Sequence, residues 1–185
     1  MKTVLALDLA LTTGFAVRKS TGRVESGSFD CRGKGRDLPG ARWANFRRFL
    51  VDLKQANPDL AAIHYEEIIR HGPNQVASAH VFGALEAFVE LFAFHHQIEL
   101  HAIGVGTWKK RFTGNGSAKK DDVIAVCRQL GFKPADDNEA DALGILHCAV
   151  NACPVLTPSP APKKAPRTKK PASTVSFRYG DGQPF

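Results

Sequence analysis

The chain has little of what builds disulfide frameworks or zinc sites. Only four of its 185 residues are cysteine, and its seven histidines show neither a His-Glu-x-x-His motif nor a His-Cys spacing typical of a metal site. The cysteines also form no Cys-x-x-Cys pair, and two of them fall in apolar helical patterns. This distribution is typical of reduced thiols in a protein core, and it argues against a disulfide-stapled domain or a zinc module.

Long apolar runs and nucleotide-binding motifs are missing as well. No apolar run reaches membrane-spanning length, and the N-terminus lacks the charged, apolar and small-residue order of a signal peptide. The Gly-rich segment before Lys119-Lys120 is not a Walker motif, because no glycine directly precedes the lysines and no Ser or Thr follows them. We therefore expect a cytoplasmic protein with no membrane partner and no nucleotide cofactor.

Positive charge is concentrated at the C-terminal end of the chain. The formal net charge is +7, and residues 154–185 hold six Lys or Arg against one Asp, which leaves +2 for residues 1–153. Because this end is also rich in proline, we expect one domain over 1–153 and a disordered basic tail over 154–185. The tail is either an arm for a nucleic-acid backbone or a solubilising end without a specific partner.

The hydrophobic pattern of residues 1–153 predicts an α/β domain. Residues 3–17 read as a hairpin with a Thr12-Thr13-Gly14 turn, and further strands are expected at 23–30, 60–68 and 98–105. Helices are expected at 41–56, 77–95, 119–130 and 137–152, and the basic stretch 107–120 is expected to contain a flexible loop. This order predicts a five-stranded mixed sheet, with three antiparallel strands followed by parallel ones, flanked by helices.

Three carboxylates stand at the ends of apolar elements: Asp8, Glu66 (or its neighbour Glu67) and Asp141. Turn or helix capping could explain some acids, and Asp137 or Asn138 is the expected N-cap of the last helix. Capping does not explain Asp141, which helical spacing places on one face with those two residues. Because converging carboxylates repel each other, the set indicates a hard divalent cation such as Mg²⁺, which carboxylates hold together with substrate phosphates.

Basic residues surround the segment Gly114-Asn115-Gly116. Lys119 and Lys120 precede the acids of a helical first turn, against the preference of the helix dipole, which suggests phosphate contacts. A solvated loop is the alternative interpretation. The candidate DNA-binding residues are Lys109, Lys110, Arg111, Lys119, Lys120 and, in the Gly-rich segment 31–40, Arg36.

Taken together, the motifs resemble the RuvC-type Holliday junction resolvases, or crossover junction endodeoxyribonucleases, in particular the branch carried by phages and prophages. The resemblance covers residues 3–150 and implies an RNase H-like fold and a homodimer in bacterial or phage-infected host cytoplasm. It also implies metal-dependent nicking of four-way DNA junctions in recombination and repair. The motifs that carry it are Leu5-Ala6-Leu7-Asp8, Thr12-Thr13-Gly14, Tyr65-Glu66-Glu67, residues 114–120 and Asn138-Glu139-Ala140-Asp141-Ala142-Leu143.

The resemblance also assigns roles to single residues. Asp8, Glu66 and Asp141 match the acids that hold two Mg²⁺ ions, with Mn²⁺ as a substitute, for phosphodiester hydrolysis by a two-metal mechanism. Lys109 and Lys120 match basic residues near the DNA, and Lys120 could stabilise charge developing on the scissile phosphate. Where the family usually has Asp or His, this chain has Asn138, so the fourth ligand is either Asn138 or Asp137.

Two other functions are weighed against this nuclease. Asn138 keeps open a non-catalytic branched-DNA-binding protein with a degraded metal site. An actin-like ATPase is excluded, because 185 residues leave no room for a second half and an adenosine site. The sequence leaves open whether four-way junctions, flaps or forks are preferred, and whether Trp108 is buried or stacks on a base, with burial favoured.

Overall fold

The computed structural model describes residues 2–32, 40–67 and 76–150. Arg36 and the tail 154–185 lie outside the described residues, so the predictions made for them remain predictions. The strands are β1 (Thr3–Asp8), β2 (Thr12–Arg18), β3 (Val24–Asp30), β4 (Leu60–Glu67) and β5 (Glu99–Gly104). The helices are α1 (Ala41–Ala56), α2 (Val76–His96), α3 (Val105–Thr113), α4 (Lys120–Gln129) and α5 (Asp137–Val150).

The strands form one mixed sheet in the order β3-β2-β1-β4-β5. β1, β2 and β3 pair antiparallel, whereas β4 pairs parallel with β1 and with β5. This arrangement confirms the predicted five-stranded sheet. The three parallel strands β1, β4 and β5 end at the same edge, which is where their last side chains meet.

Helices cover both faces of the sheet, and each face has its own hydrophobic core. Leu5 and Leu7 of β1 belong to the core that includes the buried residues of α1 and α2. Ala6 of β1 belongs to the second core, which includes the buried residues of α3, α4 and α5. Because side chains alternate along a strand, Asp8 lies on the same face as Ala6, under α5. Cys31, Cys127 and Cys148 are buried free thiols, as predicted.

Helix α5 packs closely on β1 and β2, and a glycine makes this approach possible. Gly14 lies in β2 opposite Asp8, and a Cβ placed there would overlap the carbonyl oxygen of Asn138. The prediction that Thr12-Thr13-Gly14 forms a turn is therefore wrong, because β2 already begins at Thr12. Gly14 instead allows β2 and α5 to pack closely.

Helix α3 was not predicted. The glycines around it and its basic run Lys109-Lys110-Arg111 favoured a loop, yet Trp108 and Phe112, four residues apart, are both buried on one side of a helix. The flexible loop expected after it is a hydrogen-bonded turn: the amide of Asn115 donates to Thr113 Oγ1 and the amide of Ser117 donates to Asn115 Oδ1. Burial of an apolar face thus outweighs local composition.

Helix α2 is long and apolar enough to cross a membrane by length and composition alone. Its most apolar 18-residue window has a mean hydropathy of 1.5, and 28% of that window is buried. The statement that no segment reaches this length is therefore wrong for α2. In the structure Phe82, Leu85 and Val89 of this helix belong to the core against the sheet, and Glu86 accepts a hydrogen bond from Tyr65. Core helices of soluble proteins pass the same composition test.

Candidate active site

Two neighbouring parallel strands bring Asp8 and Glu66 together. Leu7 of β1 lies opposite Tyr65 of β4, so the next residue of each strand is an acid at the same sheet edge. Ala6 of β1 lies opposite His64 of β4. Asp8 and Glu66 each follow two residues later, and because side chains alternate along a strand, both acids face α5. The sequence predicted this pair because each acid directly follows an apolar strand.

A hydrogen-bond network fixes the start of α5, which carries the third acid. Asp136 Oδ1 accepts hydrogen bonds from the hydroxyl of Ser28, at 2.6 Å, and from the amide of Glu139, at 2.9 Å. Glu139 is itself buried and accepts bonds from the Ser26 hydroxyl and the Ala135 amide. The predicted N-cap, Asp137 or Asn138, is therefore wrong, because Asp136 caps the helix. The sequence analysis did not identify Ser26 and Ser28. The available signal was their spacing of two residues on β3, which places both on one face of the sheet.

The three acids interact electrostatically across the site. Burial, followed by the charges of Glu66 and Asp141, raises the pKa of Asp8 to about 8, although Lys120 and Lys109 oppose the increase. Burial raises the pKa of Asp141 to about 6, with Glu66 adding to the rise. Burial also raises the pKa of Glu66. The charges of Glu66 and Asp141 thus oppose ionisation of Asp8, and the role of the three acids in a common site stays a prediction.

This repulsion and one unsatisfied atom make the acids suited to a cation. Asp141 Oδ1 is a buried side-chain oxygen that lacks a hydrogen-bond partner within residues 2–32, 40–67 and 76–150. Oxygen donors with excess negative charge are what Mg²⁺ and Mn²⁺ bind. Within the same residues, however, no three His, Cys, Asp or Glu side chains are grouped closely enough to hold a metal ion as they stand. The carboxylate oxygens have the charge and chemistry that a divalent cation requires. As they stand, however, the side chains are too far apart for three of them to hold one ion.

Glu66 has a partner that the sequence did not reveal. The indole Nε1 of Trp108 donates a hydrogen bond of 2.8 Å to Glu66 Oε2. Trp108 is fully buried, which agrees with the favoured interpretation over base stacking. Its hydrogen bond lowers the pKa of Glu66 and so offsets part of the effect of burial.

The candidate fourth ligands lie at the start of α5. Asp137 forms an ion pair with the exposed Lys120, the first residue of α4. Asn138 contacts Gly14 through its backbone, as described above. The structure therefore ties Asp137 to Lys120, and the choice between Asn138 and Asp137 remains a prediction.

The basic residues lie on α3 and at the start of α4. Lys109 and Lys120 are near enough to the acids to lower the pKa of both Asp8 and Asp141. Lys110, Arg111 and Lys119, their neighbours in the chain, are exposed. Because α3 follows β5 directly, it begins at the acid-bearing edge of the sheet.

Two solved structures resemble this chain along most of its length. The RuvC of T. thermophilus in complex with a Holliday junction substrate matches with a TM-score of 0.67 and 22% identity, covering 83% of this chain and 96% of that chain. The Thermus thermophilus RuvC structure matches with a TM-score of 0.62 and 21% identity, covering 82% and 97%. No protein-family model matches the sequence, and no curated protein matches it. The resemblance stated from the motifs is confirmed at the level of the fold: this chain has the RNase H-like fold of RuvC.

Proposed function

We propose that this chain is a structure-selective, metal-dependent endonuclease that nicks branched DNA, with four-way junctions as its main substrate. The observation that carries the proposal is the repulsive set formed by Asp8 and Glu66 at one sheet edge and Asp141 on α5, with Lys109 and Lys120 acting on them. The solved RuvC complex with a Holliday junction supports the substrate class. A purely structural role would not favour three partly buried acids in mutual repulsion.

Asp8, Glu66 and Asp141 would hold Mg²⁺ or Mn²⁺, and Asn138 or Asp137 would complete a site for two ions. Such cations supply the Lewis acidity that phosphodiester hydrolysis requires. Asp137 would contribute either beside its ion pair with Lys120, which uses Oδ2, or after that pair opens. Lys109 and Lys120 favour the ionised form of Asp8, which is the form that binds a cation.

The exposed cations of α3 and α4 would hold the DNA backbone. Lys110 and Arg111 on α3 and Lys119 directly before α4 are open to solvent. Contacts of this kind to phosphates position a duplex without reading its sequence. Lys120, released from Asp137 by DNA, would place its ammonium group near the reacting phosphate.

The proposed enzyme acts as a homodimer, because nicking two opposite strands needs two sites. The outer side of α2 supports a second copy as partner, since Leu91 and Phe94 are 57% and 79% exposed. A groove of about 290 Å³ beside them, lined mainly by apolar side chains of α1 and α2, continues this surface. Large exposed apolar patches of this type mark protein interfaces.

A second candidate function is a branched-DNA-binding protein without catalysis. It is favoured by Asn138 at an expected acid position and by the separated spacing of the acids in the described residues. Such a protein would bind junctions but would neither take up Mn²⁺ tightly nor cut.

The substitution Asp8→Asn tests the proposal. We expect the variant to bind a labelled four-way junction as the unchanged protein does, and to lose its cleavage in Mg²⁺ or Mn²⁺. The matched control is Asp52→Asn, on the exposed side of α1, which should cut normally. Unchanged cleavage by Asp8→Asn would disprove the assignment of the site.

A further inference from the structure

Trp108 connects helix α3 to the acid at the end of β4. Its Nε1 lies 2.8 Å from Glu66 Oε2, and its side chain is completely buried. An indole N–H can only donate, and when buried it needs an acceptor to offset the loss of water. Glu66 is that acceptor, so the indole and the carboxylate each restrict the orientation of the other.

The ring is seated against the backbone of α5 at Gly144. A Cβ placed on Gly144 would lie 2.6 Å from Cζ3 and 2.9 Å from Cε3 of Trp108. These distances are too short for a methyl group, so alanine at this position would displace the indole or the helix. Gly144 therefore provides the space that lets Trp108 reach Glu66.

We propose that Trp108 is a positioning residue that orients Glu66 for cation binding, and that Gly144 acts through Trp108. The inference rests on the proposed function and deepens it. With Oε2 held by the indole, rotation of the carboxylate is restricted and Oε1 remains for the cation. Partners that hold a metal-binding side chain in this way typically change metal affinity by about 10- to 100-fold when they are removed.

The substitution Trp108→Phe removes the N–H donor and keeps an aromatic ring. Lys109, whose Nζ lies 5.4 Å from the centroid of the Trp108 ring, retains an aromatic neighbour in this variant. We expect the Mn²⁺ dissociation constant, measured by calorimetry, to rise about 10-fold. Junction binding in EDTA should not change. The matched control is Trp43→Phe on α1, which should leave the Mn²⁺ dissociation constant unchanged.

Gly144→Ala tests whether Gly144 provides the space that the Trp108 ring needs. Alone, it should weaken Mn²⁺ binding in the same direction, because it displaces the indole. In the Trp108→Phe background it should change Mn²⁺ affinity less than about 2-fold, since the indole through which Gly144 acts is absent. Equal effects of Gly144→Ala in both backgrounds would show that Gly144 does not act through Trp108.

A second measurement does not require Trp108 to be replaced. Trp43→Phe leaves Trp108 as the only tryptophan of the chain. Paramagnetic Mn²⁺ bound at Glu66 should quench the Trp108 emission with the dissociation constant found by calorimetry. Calorimetric Mn²⁺ binding without quenching, or an unchanged dissociation constant in folded Trp108→Phe, would overturn this inference alone. Absence of Mn²⁺ binding by the unchanged protein would overturn the proposed function and this inference with it.

Discussion

At the scale of the residue, Asp8 makes the stability of the cation-free protein depend on pH. Its ordinary pKa of 3.8 is raised to about 8 in the fold, so between these values the folded chain binds more protons than the unfolded chain. Stability therefore falls as the pH rises from about 4 to 8, because the folded state resists ionisation of this carboxyl. The cation proposed for the site would offset this loss by binding the ionised form.

Asp8→Asn should therefore stabilise the protein in EDTA at pH 8. We expect its free energy of unfolding in urea to exceed that of the unchanged protein by about 1–3 kcal/mol at pH 8, with the difference shrinking toward pH 4. Asp52→Asn, at an exposed position, should show no such difference. A less stable Asp8→Asn protein at pH 8 would contradict the electrostatic description of the site.

Lys110 offers a separate test at the same scale. It is exposed on α3, next in the chain to Lys109, so Lys110→Ala should weaken junction binding through the loss of about one phosphate contact. The slope of the logarithm of the binding constant against the logarithm of the salt concentration should decrease in magnitude by about 1. Gln129→Ala, at the exposed end of α4, should leave the slope unchanged. An unaltered slope for Lys110→Ala would place the DNA elsewhere.

Single residues differ in how well the sequence predicts their place in the fold. Asp8 and Glu66 were predictable, because an acid after an apolar strand is rare and local pattern locates it. The bond from Trp108 to Glu66 was not, since it joins positions 42 residues apart and depends on how α3 packs. Ser28 and Asp136, 108 residues apart, were missed for the same reason.

At the scale of the element, the contact between β2 and α5 decides where Asp141 lies. Gly14→Ala would place a methyl group on the carbonyl of Asn138, so helix and strand must separate. We expect the free energy of unfolding to fall by about 1–3 kcal/mol and Mn²⁺ binding to weaken. Both are measurable by urea denaturation and calorimetry.

Gly83→Ala is the control for Gly14→Ala. Gly83 lies in α2 with open space around its Cα, so alanine should stabilise the helix by about 0.5–1 kcal/mol. Mn²⁺ binding should be unchanged. If Gly14→Ala behaved like Gly83→Ala, close packing of α5 would not set the geometry of the site.

Elements with strong periodicity were predictable, and short ones were not. The strands and the helices α1, α2, α4 and α5 follow from apolar residues spaced at the period of each structure. Helix α3 has nine residues and only two that are buried, Trp108 and Phe112, so its basic run and flanking glycines dominated the sequence pattern. The cap of α5 was misplaced because Asp136, Asp137 and Asn138 are all good caps, and tertiary bonds to β3 select Asp136.

At the scale of the whole molecule, the outer side of α2 is the proposed dimer surface. Phe94 is 79% exposed there, so Phe94→Asp should leave the fold intact. We expect it to convert a dimer to a monomer in light scattering and to reduce paired cutting of junctions to single nicks. Leu130→Asp, at an exposed position beyond α4, is the control and should stay dimeric. A Phe94→Asp protein that remains a dimer would require another interface.

The central claim is tested most directly by incubating the full chain with a labelled four-way junction and with a linear duplex of matching sequence. Each is treated with Mg²⁺, with Mn²⁺ and with EDTA, and the cut positions are mapped on every strand. We predict symmetric nicks in opposite strands of the junction only, in the presence of either cation, and none in EDTA. Tight junction binding with no nick in any cation would contradict the nuclease and favour the non-catalytic binding protein.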